Sequence, residues 1–338
     1  MMSRRKIFSR RTSPRGFRLP LGLVFVAVLV ALCLLIPSTP LNLSGQDITE
    51  QPMPTPLATF TKAPSPTKEH IGRIIFTCSR GDYNQLCMTY ADGTGYQQLS
   101  SLEANSYYPV FSPQGGSVVY SSNQNGGVFD LYFFTFEGSQ LTQLTTNIGN
   151  VISPTFSPDG KTILFANRTG DGPTSLWTVD TTGQNSNLLY SGASTIVAVD
   201  WSPKGDQIAF AMSVDQPNSY EIFLMNADGS NVRQLTRGLP NIGGSVDWSP
   251  DGRYLLIYAG PSGDRNIFMI DVAAETAAQL TNGGNNASGV FSPDGQWIAF
   301  ISLRNNDQAD IFIMRPDGSD MRQIVDNAEP DWQPQWEP

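Results

Sequence analysis

Few residues of this chain are of the types that catalyse reactions. The sequence contains one histidine, His70, and three cysteines, Cys33, Cys78 and Cys87. A serine hydrolase needs a histidine beside its nucleophile, and a zinc site needs clustered histidines and cysteines, so neither is expected. No GxSxG or GxxxxGKS/T segment is present. We therefore predict no catalytic residue, no metal site and no cofactor, with a carboxylate-based hydrolase or lyase as the less favoured alternative.

The spacing of two cysteines indicates a disulfide. If the chain turns at Asp82 and Tyr83, antiparallel pairing places residues whose numbers sum to 165 opposite each other, and Cys78 and Cys87 satisfy that sum. Cysteines that face each other across a hairpin have the separation that a disulfide requires. We expect this bridge to form in an oxidising compartment, and two buried free thiols are the alternative.

Candidate binding residues recur at corresponding places along the chain. Four arginines fall near the starts of corresponding predicted loops: Arg80, Arg168, Arg265 and Arg304. Three aspartates directly precede a tryptophan: Asp200, Asp247 and Asp331. Two tyrosines lie at the start of a predicted strand: Tyr107 and Tyr108. We expect the arginines to rim one opening, the aspartates to approach an axial channel that could hold a cation, and the tyrosines to serve recognition. The alternatives are solvated or locally bonded arginines, local hydrogen bonds of the aspartates, and packing of the tyrosines.

A repeated motif positions these residues. The segments FSPQG, FSPDG, WSPKG, WSPDG and FSPDG begin at residues 111, 156, 201, 248 and 291, at intervals of 45, 45, 47 and 43. We interpret WQPQW at 332 as a sixth, degenerate copy. A second element, seen as LTQLT at 141, VRQLT at 232 and AAQLT at 277, lies between the copies. A fixed period of about 40 to 45 residues is typical of repeat architectures.

Each unit is predicted to form four strands. Within 287–325, SGVFS, QWIAFIS, DIFIMR and MRQIV are the strands, and PDG and PDGS are turns. A four-stranded meander cannot cover both of its apolar faces, so the copies must stack as the blades of a β-propeller. Residues 71–99 supply three strands of a unit, and EPDWQP at 329–334 supplies its missing first strand. The prediction is an all-β, six-bladed propeller of four-stranded antiparallel blades, closed by a C-terminal strand that joins the N-terminal blade.

The loops of such a propeller divide between two faces. The turns after the first and third strands share one face, and here they are short and uniform. The loops after the second strand and between blades share the other, and they vary in length and composition; we call this side the variable-loop face. Variable loops on a rigid scaffold usually carry recognition, so we expect binding there.

The repeats resemble those of the TolB-type six-bladed propellers, a family with WD40-like β-propeller repeats. The resemblance rests on WSPDG, LLIYAG, NIFMIDV and AAQLT within one unit and on IFLMNADGSNVRQLT in the preceding one, and it covers about 71–336. It implies the fold more than the function. TolB itself has an additional N-terminal α/β domain that helps it engage a peptidoglycan-associated lipoprotein, and we do not expect that partnership here. Similar propellers on prolyl-peptidase-like hydrolases accompany an α/β-hydrolase domain, for which this length leaves no room.

The N-terminal region predicts membrane attachment. Residues 1–18 are basic, and residues 19–36 are uncharged; as a helix these eighteen residues would span roughly 27 Å. The basic segment should stay in the cytoplasm, which places the Pro/Ser/Thr-rich linker at 37–70 and the propeller at 71–338 outside it. We favour an uncleaved signal anchor over a cleaved signal peptide, because the apolar run is long and no clear cleavage site follows. A lipoprotein anchored at Cys33 is a weaker alternative, since Leu32 is not small.

The charge distribution limits the partners. The net charge is −9, and residues 71–338 carry 12 basic and 27 acidic residues, so the propeller carries about −15. Such a surface repels phosphate backbones, and we predict no nucleic-acid binding. The predicted function is a monomeric, membrane-anchored protein-interaction or scaffolding module, at the cell surface or in the periplasm, for an unknown protein or cell-envelope component. The alternative is a small-ligand or carbohydrate receptor that uses the central funnel.

Overall fold

The structure is a computed structural model that describes residues 72–214, 219–305 and 307–338. Within these ranges the strands form six four-stranded antiparallel sheets, which is the predicted six-bladed propeller. The predicted membrane helix at 19–36, the linker at 37–70 and the histidine within it lie outside the described residues. Among the residues that are described, no helix is long and apolar enough to cross a membrane.

Each blade contributes one strand to each of four positions from the axis outwards. The innermost strands are β4 (Ser106–Phe111), β8 (Asn150–Phe156), β12 (Ile196–Trp201), β16 (Asp247–Trp248), β20 (Ala287–Phe291) and β24 (Asp331–Trp336). The second strands are β5 (Ser117–Ser122), β9 (Thr162–Arg168), β13 (Gln207–Ser213), β17 (Tyr254–Ala259), β21 (Ile298–Ser302) and β1 (Arg73–Arg80). The third strands are β6 (Asp130–Thr135), β10 (Thr174–Asp180), β14 (Tyr220–Asn226), β18 (Asn266–Asp271), β22 (Asp310–Met314) and β2 (Tyr83–Tyr90). The outermost strands are β7 (Gln140–Gln143), β11 (Asn187–Ser191), β15 (Arg233–Gln234), β19 (Thr276–Gln279), β23 (Arg322–Gln323) and β3 (Gln97–Gln98). We number the blades one to six in this order.

The repeated Ser-Pro-x-Gly motif, with Asp as the third residue in three copies, forms the turn after the innermost strands of blades one to five. In the second blade, Ser157 Oγ donates a hydrogen bond to the Asp159 carboxylate at 2.7 Å and accepts one from the Thr162 N–H at 3.0 Å. Gly160 follows with a φ of 72°, which a side chain would disfavour. The same pair of bonds forms around Ser249 with Asp251 and around Ser292 with Asp294. These aspartates therefore have the turn role that the sequence predicts.

The second repeated element ties the outermost strand to the third. Thr145 Oγ1 accepts a hydrogen bond from the Leu131 N–H at 2.9 Å and donates one to the Asp130 carboxylate at 2.8 Å. Equivalent bonds to the third strand are made by Ser100, Thr236 and Thr281. In the fifth blade the corresponding residue is Val325, which has no hydroxyl to offer Asp310.

The apolar core is divided among the six contacts between blades. One cluster lies at each of these contacts, as the packing of Trp248 against Ala209 of the third blade and Leu255 of the fourth illustrates. The aromatic residue that opens each motif packs in this way between neighbouring blades, as expected. Because every blade covers a face of the next, no blade is left with an exposed apolar face, provided that the ring closes.

The ring closes through the two ends of the folded region. Strand β24 pairs with β1, so the sixth blade combines the last strand with the first three, which confirms the predicted closure. The repeat is carried by Trp336 and not by Trp332: Trp336 lies opposite Ile74, as Trp248 lies opposite Leu255. The sixth copy is therefore four residues later than predicted, and 45 residues after Phe291. A β-bulge with Gln333 at a φ of 53° shifts the register and obscures the repeat.

The hairpin that contains Cys78 and Cys87 has a different register from the predicted one. Its turn is at Gly81 and Asp82, and Cys78 lies opposite Gln85. Gly81 has a φ of 60°, which permits this two-residue turn. The structure nevertheless joins the two cysteines by a disulfide, with their Cα atoms 5.8 Å apart. They are diagonal neighbours on one face of the hairpin, and this separation lies within the range that disulfides span.

Candidate functional site

An axial channel passes between the six innermost strands and encloses a cavity of about 90 Å³. Every innermost strand, with the residues directly before it, contributes to the wall. The polar side chains of the wall are Tyr108, Ser153, Thr155, Asp200, Ser245, Asp247, Ser288, Gln333 and Gln335. The cavity is therefore a polar site enclosed by a rigid ring.

β-Bulges place part of this wall. In four innermost strands the residue three positions before the repeated aromatic has a positive φ: Tyr108 at 54°, Ser153 at 50°, Ser288 at 52° and Gln333 at 53°. The pairing register shifts at each of these points, and all four residues line the channel. Sequence reasoning missed the last three of them. Their fixed distance from the aromatic is the signal that would have found them.

Asp200 lies in the channel wall and links three blades. Its carboxylate accepts hydrogen bonds from the Thr155 hydroxyl of the second blade at 2.8 Å and from the Trp248 N–H of the fourth at 3.0 Å. Burial raises the pKa of Asp200 to about 6, against the opposing effect of these bonds. The residue thus joins neighbouring blades while it faces the channel.

Asp247 occupies the equivalent position in the next blade. It accepts a hydrogen bond from the Phe291 N–H of the fifth blade at 2.8 Å. Its pKa is raised well above the ordinary value by burial and by the negative charge of Asp200. Ser245 lines the same side of the channel, and its buried hydroxyl has no hydrogen-bond partner among the described residues. The equivalent positions of the other blades hold uncharged side chains, so the acidic pair is confined to one side.

Asp331 does not line the channel. It is buried at the start of β24, five positions before the repeated Trp336, whereas Asp200 directly precedes its aromatic. Asn327 donates a hydrogen bond to its carboxylate at 2.9 Å, and Arg80 Nη2 lies 3.8 Å away. The pKa of Asp331 is raised to about 7, chiefly by burial and to a smaller extent by the nearby Asp310 and Glu329, against the opposing effects of Asn327 and Arg80. The expected channel role came from placing the sixth repeat four residues too early.

The four candidate arginines each have local partners. Arg168 donates a hydrogen bond to the Gly172 carbonyl at 3.2 Å, and Arg304 donates to Ser302 and Asn286 at 2.9 and 3.0 Å. Two stack on tyrosine rings: Arg80 lies 5.3 Å from the ring centre of Tyr96, and Arg265 lies 5.6 Å from that of Tyr258. None of the four lines the cavity.

The two candidate tyrosines have different environments. The Tyr107 ring packs 5.6 Å from that of Phe129, and its hydroxyl accepts a hydrogen bond from Asn84 at 2.8 Å. Tyr108 lines the channel, and its pKa is raised by burial and by the proximity of Tyr258. Tyr258, in the fourth blade, accepts a hydrogen bond from the Gly244 N–H of the channel wall at 2.9 Å, so the two tyrosines approach the channel from different blades.

Further aromatic side chains lie near Tyr108 that sequence reasoning did not identify. Tyr258 also raises the pKa of Tyr220, after burial, and the positive charge of Arg168 opposes this increase. Tyr108, Tyr220, Tyr258, Arg168 and Arg265 thus form a chain of neighbours at the variable-loop end of the channel; we call this set the channel mouth. No short sequence motif marks Tyr220 and Tyr258, because four different blades contribute residues to the set.

A family model described as "TolB beta propeller domain" matches residues 59–241 and 174–338. Among curated relatives, an uncharacterized protein of Agrobacterium fabrum is 35% identical over 114 residues, which cover 33% of this chain and 38% of that protein. The Tol-Pal system protein TolB of Francisella tularensis subsp. mediasiatica is 32% identical over 110 residues, 32% of this chain and 25% of that protein. The matched part therefore spans well under half the length of either relative.

Solved structures show the same fold at low identity. TolB from Acinetobacter baumannii superposes with a TM-score of 0.69 and 21% identity, over 79% of this chain and 67% of that one. A putative TolB from Agrobacterium tumefaciens gives a TM-score of 0.59 and 19% identity, over 79% of this chain and 98% of that one.

Proposed function

Because this chain belongs to the TolB β-propeller domain family, we propose that it is a protein-interaction or scaffolding module of the cell envelope. The observation that carries this proposal is the contrast between the two faces of the ring. The turns after the innermost and third strands span four to seven residues, whereas the variable-loop face has connections from two residues at 81–82 to twelve at 235–246. Loop variation on one side of a rigid scaffold is typical of recognition surfaces. The proposal assigns no catalytic step to the propeller.

We further propose that residues 19–36 anchor the protein in the membrane and that residues 37–70 hold the propeller outside the cytoplasm. The basic residues before the apolar run support this orientation. Protease added to intact spheroplasts should digest the propeller while a tag at residue 1 stays protected. Protection of both ends would contradict the orientation.

Within the variable-loop face, the channel mouth is the proposed contact for a partner protein or another envelope component. Tyrosine and arginine are enriched at interfaces, because each combines a large apolar surface with a polar group. Tyr108 is held by a bulge, and Arg265 stacks on the buried ring of Tyr258, so these two contacting side chains lose little freedom on binding.

Cross-linking and capture from native membranes tests this assignment. We expect Arg168→Glu and Arg265→Glu together to reduce capture of the principal cross-linked partner about tenfold or more. Lys161→Glu is the matched control, because its side chain is 82% exposed on the opposite face. Equal losses for the control and the double variant, or no loss for either, would show that the partner binds elsewhere.

A second candidate function, a small-ligand or carbohydrate receptor, is favoured by the enclosed polar channel. Ser245 offers an unpaired buried hydroxyl beside Asp247. Titration calorimetry with soluble envelope saccharides should then show binding that Ser245→Val abolishes and Arg168→Glu does not alter. Absence of heat with every saccharide, together with loss of protein capture in the channel-mouth variant, would favour the interaction module.

A further inference from the structure

The outermost strand of the second blade, β11, differs from the other five outermost strands. It is five residues long, whereas the others have two or four. The closed ring encloses the inner edges of the blades around the axis but leaves the outer edges uncovered by any other strand of the described residues. Each outermost strand is therefore a potential template for pairing with another chain.

Charge normally prevents such pairing, and β11 itself carries none. No charged residue lies between Asp180 and Asp200, a run that contains β11 and the loops on both sides of it. Of the other outermost strands, β15 and β23 begin with arginines, Glu275 directly precedes β19, and Glu137 lies three residues before β7. The remaining strand, β3, has only two residues. Strand β11 thus lacks both protections, short length and charge, that natural edge strands use.

An apolar side chain is exposed on this strand. Leu188 is 51% exposed, the largest value among the exposed large hydrophobic residues of the described ranges. The pairing register with β10 shifts at Leu189, and Tyr190 packs inwards against the core between the second and third blades. Residues two positions apart in a regular strand lie on the same face. The register shift explains why Leu188 and Tyr190 nevertheless have different environments. Leu188 lies opposite Trp177, which is half-buried against the core between the first and second blades, so the exposed apolar surface is that of Leu188 itself.

We propose that two copies of this protein associate through β11, which pairs with its own copy as antiparallel strands about a two-fold axis. A two-fold axis that passes between two copies of the same edge strand relates them as antiparallel strands. The hydrogen-bonding groups of one copy then match those of the other. The propeller carries a net charge of about −15, so two copies repel each other except where the surface is uncharged. A basic partner would gain more from the acidic remainder of the ring. The uncharged edge therefore fits a second copy, in place of the monomer that ring closure alone predicts.

Sedimentation of the full-length protein in detergent, over a range of concentrations, tests the proposal. We expect a monomer–dimer equilibrium whose dissociation constant rises about tenfold or more in Leu188→Lys, because the lysine places a charge in the pairing edge. Val232→Lys is the matched control; this residue is 38% exposed at the outer part of the third blade and should leave the equilibrium unchanged. Unchanged thermal unfolding would show that both variants fold.

Cross-linking identifies the interface itself. Pairing centred on Leu189 places residue 187 of one copy beside residue 191 of the other, so Asn187→Cys combined with Ser191→Cys, with Cys33→Ser, should give a disulfide-linked dimer. Adding Leu188→Lys should abolish the linked dimer. A protein that stays monomeric at all concentrations, or a dimer that Leu188→Lys leaves intact, would overturn the proposal. The dimer experiments do not depend on which partner binds the channel mouth. A negative result for the dimer therefore leaves the proposed function intact, and a negative result in partner capture leaves the dimer intact.

Discussion

Trp336, in the last strand, lies opposite Ile74, near the start of the first. The Trp336 side chain is buried in the core between the fifth and sixth blades, whereas Trp332 is only partly buried against it. We expect Trp336→Ala to lower the free energy of unfolding by about 3 to 5 kcal/mol, because it empties a core site, and Trp332→Ala to lower it less. Chemical denaturation of the two variants measures both values. A larger loss of unfolding free energy in Trp332→Ala than in Trp336→Ala would favour the alignment in which the sixth copy begins at Trp332.

The same closure predicts unequal effects of two deletions. Removal of residues 329–338 takes away β24 and exposes the edge of β1, whereas removal of residues 37–70 leaves every described strand in place. The first deletion should therefore lower the melting temperature strongly and promote aggregation, and the second should do neither. Differential scanning fluorimetry with light scattering compares them. Equal melting temperatures would refute closure by the C-terminal strand.

Burial of Asp331 predicts a pH-dependent stability. Its pKa is raised to about 7, and that of an unfolded aspartate is about 3.9. Between these two pKa values the folded protein keeps a proton on Asp331 that the unfolded chain releases. The contribution of protonated Asp331 to the free energy of unfolding is therefore complete below about pH 4 and is lost as the pH rises through about 7. The asparagine of Asp331→Asn does not titrate. The variant should therefore have a larger free energy of unfolding than the natural protein at pH 8, by at most about 4 kcal/mol, and a smaller gain at pH 5.

Denaturation at both pH values checks this expectation. Asp171→Asn is the control, because Asp171 is exposed in a loop and should show no such difference. A destabilised Asp331→Asn protein at pH 8 would mean that the attraction to Arg80 and the hydrogen bond from Asn327 outweigh the cost of burial.

The bonds of Asp200 predict that it stabilises the contacts between blades. Asp200→Ala leaves the Trp248 N–H and the Thr155 hydroxyl without their acceptor, which should cost about 1 to 3 kcal/mol. Asp200→Asn keeps an acceptor oxygen and should cost less. Denaturation curves of the two variants separate the hydrogen bonds from the charge. Equal losses would indicate that the negative charge itself, and not the acceptor, holds the blades together.

The disulfide between Cys78 and Cys87 predicts a simple labelling pattern. Alkylation of the unreduced protein should modify Cys33 alone, and alkylation after reduction should modify all three cysteines. Replacing both bridged cysteines with serine should destabilise the sixth blade, by about 2 kcal/mol if the bridge limits the unfolded chain. Mass spectrometry reads the pattern. Two additional alkylated thiols in the unreduced protein would show that the bridge is absent.

Local patterns were sufficient to predict most of the fold. The Ser-Pro-Asp-Gly turns depend on hydrogen bonds between residues at most five positions apart, such as those of Ser157 with Asp159 and Thr162. Their structure could therefore be predicted from the local sequence. The blade count followed from the period of the motif. The register of the closing strand did not, because Asp331 and Trp332 have the same order as the Asp-Trp pairs of other copies, whereas it is Trp336 that lies opposite Ile74.

The candidate site was less predictable, for a related reason. The positions of Asp200 and Asp247 beside the axis follow from their place before the repeated aromatic. The channel mouth does not, because Tyr108, Tyr220 and Tyr258 belong to three blades and have no common spacing. Likewise, the edge of β11 becomes an interface candidate only when its length and the exposure of Leu188 are known.

The amino-acid sequence by itself determined the blades: their turns, their strand order and the stacking of six units, since each depends on interactions within about 45 residues of chain. The tertiary structure alone decided which side chains meet across the axis, how the last strand is aligned with the first, and which outer edge is left without charge. These relationships join residues that are distant in the chain, and the curvature of the closed ring, together with the bulges that adjust it, sets their distances.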